Sequence, residues 1–395
     1  MLSSTNRQAL DLVRGYLDDA GFAYMSYRLI PGHDSIIWPD FPVLHATLAQ
    51  MSDTYRLLFT LLRQGHAAEE RVLEQALPGE ILDAFKACGL LEEASPGLWR
   101  TPGLALLPVE GLLLAVSLPP HYPTAASPKQ PVYIGPESLW LTRALPPRLA
   151  GSSVLDLCAG SGIQGLLCAA RGAALVVALE LHPQAVAAAR FNAALNGLQG
   201  VVEVRASDLG AALREAERFD LVVCNPPFMP VMEDVDYPLC GAGGVDGTRL
   251  LRRIVAGLPL WLAPGGEAVL FCNVLGGPTS VHFNDAVLEA LARSHDLFIR
   301  AYVDDKHPWS EYVEATLLPN LRTTCPELSA VEREGRIAAW EAELKRRSIP
   351  ADFIYGQILR VWQGRSPGGL VILPAYDPIS TDPLLARARM ARHRA

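Results

Sequence analysis

Between about residue 150 and residue 304 the chain alternates between two hydrophobic periods. Short, nearly continuous apolar runs at 153–157, 175–180, 201–205, 220–224, 267–272 and 297–303 read as buried strands. Between them, apolar residues recur three and four apart at 163–171, 183–196, 247–262 and 284–294, which read as helices. Strands alternating with helices make βαβ units, so the expected fold class is α/β with a mostly parallel, Rossmann-like sheet whose last strand is antiparallel.

Upstream the pattern is helical. Leu10, Val13 and Leu17 predict a helix over 5–20, stopped at Gly21. Three shorter helices follow at 55–62, 68–76 and 80–87. The stretch "GLLEEASPGLWRTP" (89–102) then reads as a strand, a Pro-Gly turn and a second strand. Three helices and a hairpin is a winged-helix order. Such modules bind nucleic acid, form homodimers or cover a substrate. The expected organisation is a helical, winged-helix-like domain at 1–118, a Pro-rich linker at 119–131, a sheet domain at 132–380 and a basic tail at 381–395. Within the sheet domain an insert at 305–350 carries a charged helix over 330–347. It falls between the expected sixth and seventh strands, so it should hang over the substrate side. Two β-like runs, 353–362 and 369–376, follow it.

Composition narrows the possible partners. The 395 residues are 50% hydrophobic and 19% charged, with a net charge of −8. A protein that relies on phosphate contacts usually shows a basic patch. The one basic run here is Arg387, Arg389, Arg392 and Arg394 in the tail, which reads as a solvated end. Seven scattered cysteines without C-x-x-C or metal spacing fit a reducing compartment. No signal segment or membrane-length apolar run is present. A soluble, cytoplasmic protein without metal, and with nucleic acid an improbable partner, is the expectation.

The chemistry begins at "SVLDLCAGSGIQGL". Gly160, Gly162 and Gly165 spell G-x-G-x-x-G between a strand and a helix, where backbone can approach a ligand closely. Alone this suggests a dinucleotide site. Asp156, four residues before Gly160, argues otherwise, because a carboxylate there would oppose a pyrophosphate. It suits a ligand that brings a positive charge, such as the amino acid part of S-adenosylmethionine. Glu180 ends the second strand, where a carboxylate can accept both ribose hydroxyls. Asp208 ends the third and is expected to accept from an adenine amino group. The three acids stand at the carboxyl ends of successive strands, where open α/β sheets bind ligands.

Together "VLDLCAGSGIQGL", "VVALELHPQAV", "ASD" and "DLVVCNPPF" resemble the successive motifs of class I S-adenosylmethionine-dependent methyltransferases. The N-P-P-F tetrapeptide is similar to the nitrogen-methylating branch, which includes the release-factor glutamine and adenine-N6 enzymes. "LCGAGGVDGTRLLRRIVAGLPLWLAPGGEAVL" (239–270) and "PVYIGPESLWL" (131–141) resemble segments of the glutamine-type enzymes, the second one covering the cofactor. The resemblance spans about 130–275. It implies S-adenosylmethionine as cofactor, contacted by Tyr133, Asp156, Cys158, Ala159, Gly160, Gly162, Glu180, Leu181, Asp208, Leu209 and Asn225. It also implies a reacting centre of Asn225, Pro226 and Phe228.

The corner after strand 220–224 then has a purpose. The Asn225 side-chain carbonyl and the Pro226 backbone carbonyl can accept both hydrogens of a planar –NH2. Proline fixes φ, and Phe228 can stack over a flat amide or base. His182 reads as a helix start. The loop of Gly243, Gly244, Asp246 and Gly247 reads either as substrate-ordering or as a cap. His307, Trp309, Tyr312 and Tyr355 are candidates for a substrate pocket. The expected activity is N-methylation of an amide or amine, in a protein glutamine or a small metabolite. Two alternatives stand beside it: an enzyme that consumes S-adenosylmethionine by internal displacement, releasing methylthioadenosine, and a winged-helix DNA-binding regulator with a vestigial methyltransferase domain.

Overall fold

The computed structural model describes residues 2–29, 41–118, 132–232, 239–364 and 368–374. The expected linker at 119–131 and the basic tail at 381–395 lie outside the described residues.

An eight-stranded sheet forms the centre. Its strands are β1 (Ser153–Leu157), β2 (Leu175–Glu180), β3 (Val202–Ala206), β4 (Phe219–Cys224), β5 (Leu262–Gly276), β6 (Leu297–Pro308), β7 (Phe353–Gln363) and β8 (Gly369–Pro374), in the order β8-β6-β7-β5-β4-β1-β2-β3. β1 to β5 run parallel to one another, and the antiparallel strand is β7, between β5 and β6, not the last strand. This is the Rossmann-like arrangement expected from the alternating pattern. The two β-like runs near the end do not pair with each other. β8 instead joins β6 in parallel at the sheet edge.

The strands read as continuous apolar runs because both faces are covered. Val154, Leu155, Leu157, Val176, Val177, Val222 and Val223 are fully buried. The covering helices that matter for the site are α1 (Pro136–Ala144), α2 (Ile163–Ala170), α3 (Pro183–Leu195) and α4 (Arg249–Trp261). The chain leaves β1 toward β2 on one side and reaches β4 on the other, with Leu157 beside Cys224 in register. That reversal opens a crevice past the carboxyl ends of β1 and β4, the usual ligand position in open α/β sheets.

The N-terminal region is helical, as expected, with Asn6 capping the helix Arg7–Asp19 by accepting from Ala9 N. A small antiparallel sheet joins the strand Ala68–Glu69 to the hairpin Glu92–Ser95 and Leu98–Arg100. The pattern missed two helices, Phe22–Leu29 and Phe41–Leu48, and a second hairpin, Leu104–Val109 with Leu112–Ser117. That hairpin ties the region to the sheet domain. Asn192 and Asn196, one turn apart on α3 and its end, bond the free edge of its second strand. Asn196 Oδ1 accepts from Leu113 N (2.9 Å) and its Nδ2 donates to Leu113 O (2.7 Å). Asn192 Oδ1 accepts from Ala115 N (2.7 Å), and its Nδ2 donates to Ala115 O (3.1 Å). These amides satisfy backbone groups that an unpaired edge would leave open. Phe191, Ala194 and Leu195 of α3 also enter the N-terminal core.

The insert between β6 and β7 folds as helices, the longest being Ala330–Arg346, held at its start by a reciprocal Ser329–Glu332 capping box. Trp309, Tyr312, Trp340 and Leu344 form its core with Val245, Leu275 and Ile354. Trp340 Nε1 donates to Val245 O (3.1 Å), and the Tyr312 hydroxyl lies 3.0 Å from Met229 Sδ. The insert therefore packs on the chain that follows the Asn-Pro-Pro corner. No helix among the described residues is long and apolar enough to cross a membrane.

Candidate active site

The glycine loop is built by backbone constraints of two kinds. Gly160 (φ 56°) and Gly162 (φ 81°) need the left-handed region, and so does Cys158 (φ 55°), a strained place for a side chain. Gly165 has another reason. A Cβ there would sit 2.9 Å from both Asp156 Oδ2 and Val176 Cγ1, so the third glycine lets α2 lie close against β1 and β2. Above Gly160 the space is open, with nothing nearer to an added Cβ than Cys158 O at 4.0 Å.

Asp156, at the end of β1, is bonded into the loop itself. Its side chain is buried at 1% exposure, and Oδ2 accepts from Gly165 N at 2.8 Å. Burial, reinforced by the nearby Glu180 charge, pushes its carboxyl up to about 7. The residue braces the loop from below through that oxygen. Glu180 stands at the crevice, half-buried. Its Oε2 accepts from Gly160 N (2.8 Å) and its Oε1 from His182 N (2.7 Å), so it ties the end of β2 to the loop and fixes its own direction. Asp208 is exposed and pairs with Arg253 at 3.2 Å. Tyr133 and Leu181 are 40% and 51% exposed, apolar surface that a flat ring would cover. Ala159 and Leu209 were expected at the cofactor, but their side chains are packed into the core, leaving only their backbone to serve. Cys158 lies half-buried, with its thiol against that of Cys224.

The corner after β4 has one feature the sequence could not show. Asn225 Nδ2 donates to Ser138 Oγ (3.1 Å), while Asn225 Oδ1 is buried with no hydrogen-bond partner. Buried acceptors are nearly always paired, so an orphan beside a crevice marks a place for a donor. Phe228 is partly buried and packs edge-on against Phe271, with centroids 5.3 Å apart at 64°. The following glycines are required by contact. A Cβ on Gly247 would lie within 2.3 Å of Phe228 O, and one on Gly243 within 2.6 Å of Gly247 O. Met229 N donates to Gly241 O, and Gly243 N donates to Met229 O, so this loop braces the corner. Asp246 Oδ1 accepts from Thr248 N (3.0 Å) and Thr248 Oγ1 (2.8 Å), a turn that leads the loop into α4.

Other candidates fall outside the crevice. Trp309, Tyr312 and Tyr355 are core residues, the last donating its hydroxyl to Gly277 O, and their burial overturns the pocket reading. His307 is exposed. His182 caps α3, accepting from Gln184 N, as its position before Pro183 suggested. Sequence reasoning missed Glu137 and Ser138. They were visible only as "GPES" in the segment before the glycine loop, with no acid-base pattern to single them out. The structure sets both beside Asn225.

Residues 134–273, about a third of the chain, match the family model of the methyltransferase small domain. A ribosomal protein uL3 glutamine methyltransferase of Bordetella pertussis is 38% identical over 125 residues, 29% of this chain and 42% of that one. A release factor glutamine methyltransferase of Cereibacter sphaeroides is 38% identical over 129 residues, 30% of this chain and 46% of that one. The chain spans about half the length of these relatives.

Proposed function

We propose that this chain, whose residues 134–273 form a methyltransferase small domain, transfers a methyl group from S-adenosylmethionine to the side-chain amide nitrogen of a protein glutamine. The observation that carries the reading is the buried, unpartnered Asn225 Oδ1 at the carboxyl end of β4. A primary amide offers two N–H donors, and a site with a fixed acceptor selects such a group over one without donors.

The residues present fit the cofactor. Open space over Gly160 admits close backbone approach, Glu180 stands at the end of β2 to receive ribose hydroxyls, and exposed Leu181 and Tyr133 offer cover for the adenine. When bound, S-adenosylmethionine supplies a methyl group activated on a sulfonium. The protein's part is orientation. Asn225 Oδ1 and the Pro226 carbonyl hold the acceptor –NH2, the two prolines keep the corner from relaxing, and Phe228 limits the plane of the amide. Phe271 behind Phe228 fixes that ring. Glutamine in a protein is the favoured acceptor because both similar enzymes are named for it.

The test is incubation with methyl-labelled S-adenosylmethionine and purified release factor or ribosomal protein uL3, followed by mass spectrometry of the peptides. Label on a glutamine amide, absent with Asn225→Ala, is the expected result. Methylthioadenosine formed without any acceptor would overturn the reading in favour of internal displacement.

A further inference from the structure

Asn225 can point its amide either way, since oxygen and nitrogen are nearly the same size. Only one orientation presents an acceptor to the reacting group. What chooses it lies on α1. The Ser138 hydroxyl donates to Glu137 Oε1 at 3.3 Å. With its single proton so directed, Ser138 Oγ can only accept, and it does so from Gly135 N (3.3 Å) and Asn225 Nδ2 (3.1 Å). The Asn225 amide also favours the charged Glu137 carboxylate, against the larger opposite effect of burial. An accepting Ser138 Oγ calls for the –NH2 on this side of Asn225, which leaves Oδ1 on the other.

We propose that Glu137, through Ser138, is the positioning residue that fixes the Asn225 amide with its oxygen toward the methyl acceptor. This deepens the methyltransferase reading and rests on it.

The surroundings hold the carboxylate to that task. Gln164 Nε2 donates to Ser138 O (3.1 Å), tying α1 to the helix that follows the glycine loop. The carboxylate folds back over Gly135, where an added Cβ would meet both Glu137 Oε2 and the Tyr133 hydroxyl at 2.3 Å. The φ of Gly135 is −117°, so glycine is needed there for space and not for conformation. A first-turn acid serving only α1 would not need the cleared space. Burial pushes the Glu137 carboxyl above its usual range, a cost that helix capping alone would not require.

The inference predicts a consequence that loss of helix stability does not. Without the carboxylate the Ser138 proton is free to turn to Asn225, which can then flip and offer –NH2 to a group that is itself a donor. The experiment uses the full chain labelled with [15N]asparagine. It has only seven asparagines, and Asn225→Ala assigns the resonance. In Glu137→Ala and Ser138→Ala the Asn225 side-chain –NH2 pair should shift and exchange with solvent roughly tenfold faster or more, the scale of losing one buried hydrogen bond. S-adenosylmethionine affinity should stay within a few-fold. Turnover on release factor or uL3 should fall roughly 10- to 100-fold with little change in KM. Glu137→Gln, whose Oε1 still accepts, should restore most of the loss. An unchanged Asn225 resonance in both Glu137→Ala and Ser138→Ala overturns the inference, as does a shifted resonance with undiminished turnover. Full activity in Asn225→Ala would instead overturn the methyltransferase reading of the corner. The resonance test does not depend on finding the acceptor, so the two failures are distinguishable.

Discussion

Asp156→Asn separates two roles for one carboxylate. As a counter-charge for the ammonium of S-adenosylmethionine, Asp156 would contribute about 1.5–3 kcal/mol, and its loss would weaken binding by roughly 10- to 150-fold. As a brace, it accepts from Gly165 N, and an asparagine Oδ1 can accept in its place. The charge itself is a liability, because burial raises the carboxyl from 3.8 to about 7. Between those values the native state holds a proton that the unfolded chain has released. The stability due to this group is therefore fully present below pH 3.8 and is lost as pH rises through about 7. The full span corresponds to on the order of 4 kcal/mol. Asparagine never ionises, so the variant's stability relative to wild type should improve steadily from about pH 4 to pH 8. Urea unfolding across that range measures the difference, and titration calorimetry gives the cofactor affinity, expected to stay within about threefold. An affinity loss beyond tenfold with no pH-dependent gain in stability would refute the brace and restore Asp156 as a ligand.

Other outcomes follow from the same geometry. Asn225→Ala should leave S-adenosylmethionine affinity within a few-fold and cut turnover by about 10²-fold or more, read by parallel calorimetry and kinetics. Gly165→Ala places a methyl 2.9 Å from Asp156 and Val176, so it should destabilise by about 1–3 kcal/mol and weaken cofactor binding; thermal unfolding checks it. Asn192→Ala removes bonds to Ala115 and to Ser161 O in the glycine loop. It should cost roughly 1–3 kcal/mol for each buried group left unpaired and loosen the N-terminal hairpin, visible as faster amide exchange over 112–117.

Much of this protein is fixed by local pattern. The alternation of apolar runs and helical spacing dictates β1 to β4 almost to the residue, because a buried parallel strand must be apolar on both faces. Glycines at 160 and 162 and the Asn-Pro-Pro corner are legible for a similar reason: φ preference and proline rigidity belong to the residues themselves. What needs tertiary structure is every property that depends on a neighbour distant in sequence. That Asp156 also holds the glycine loop shows only where Gly165 N meets its Oδ2. Trp309 and Tyr355 look like a pocket until one is seen in the core of the insert and the other in the core against the sheet. The hairpin 104–117 gave no signal as an edge that α3 would seal, since its partners are two asparagines some 80 residues away. Glu137 is an ordinary first-turn acid in the sequence. Only the fold brings it beside Asn225, 88 residues further on, because hydrogen-bond polarity passes through space and not along the chain.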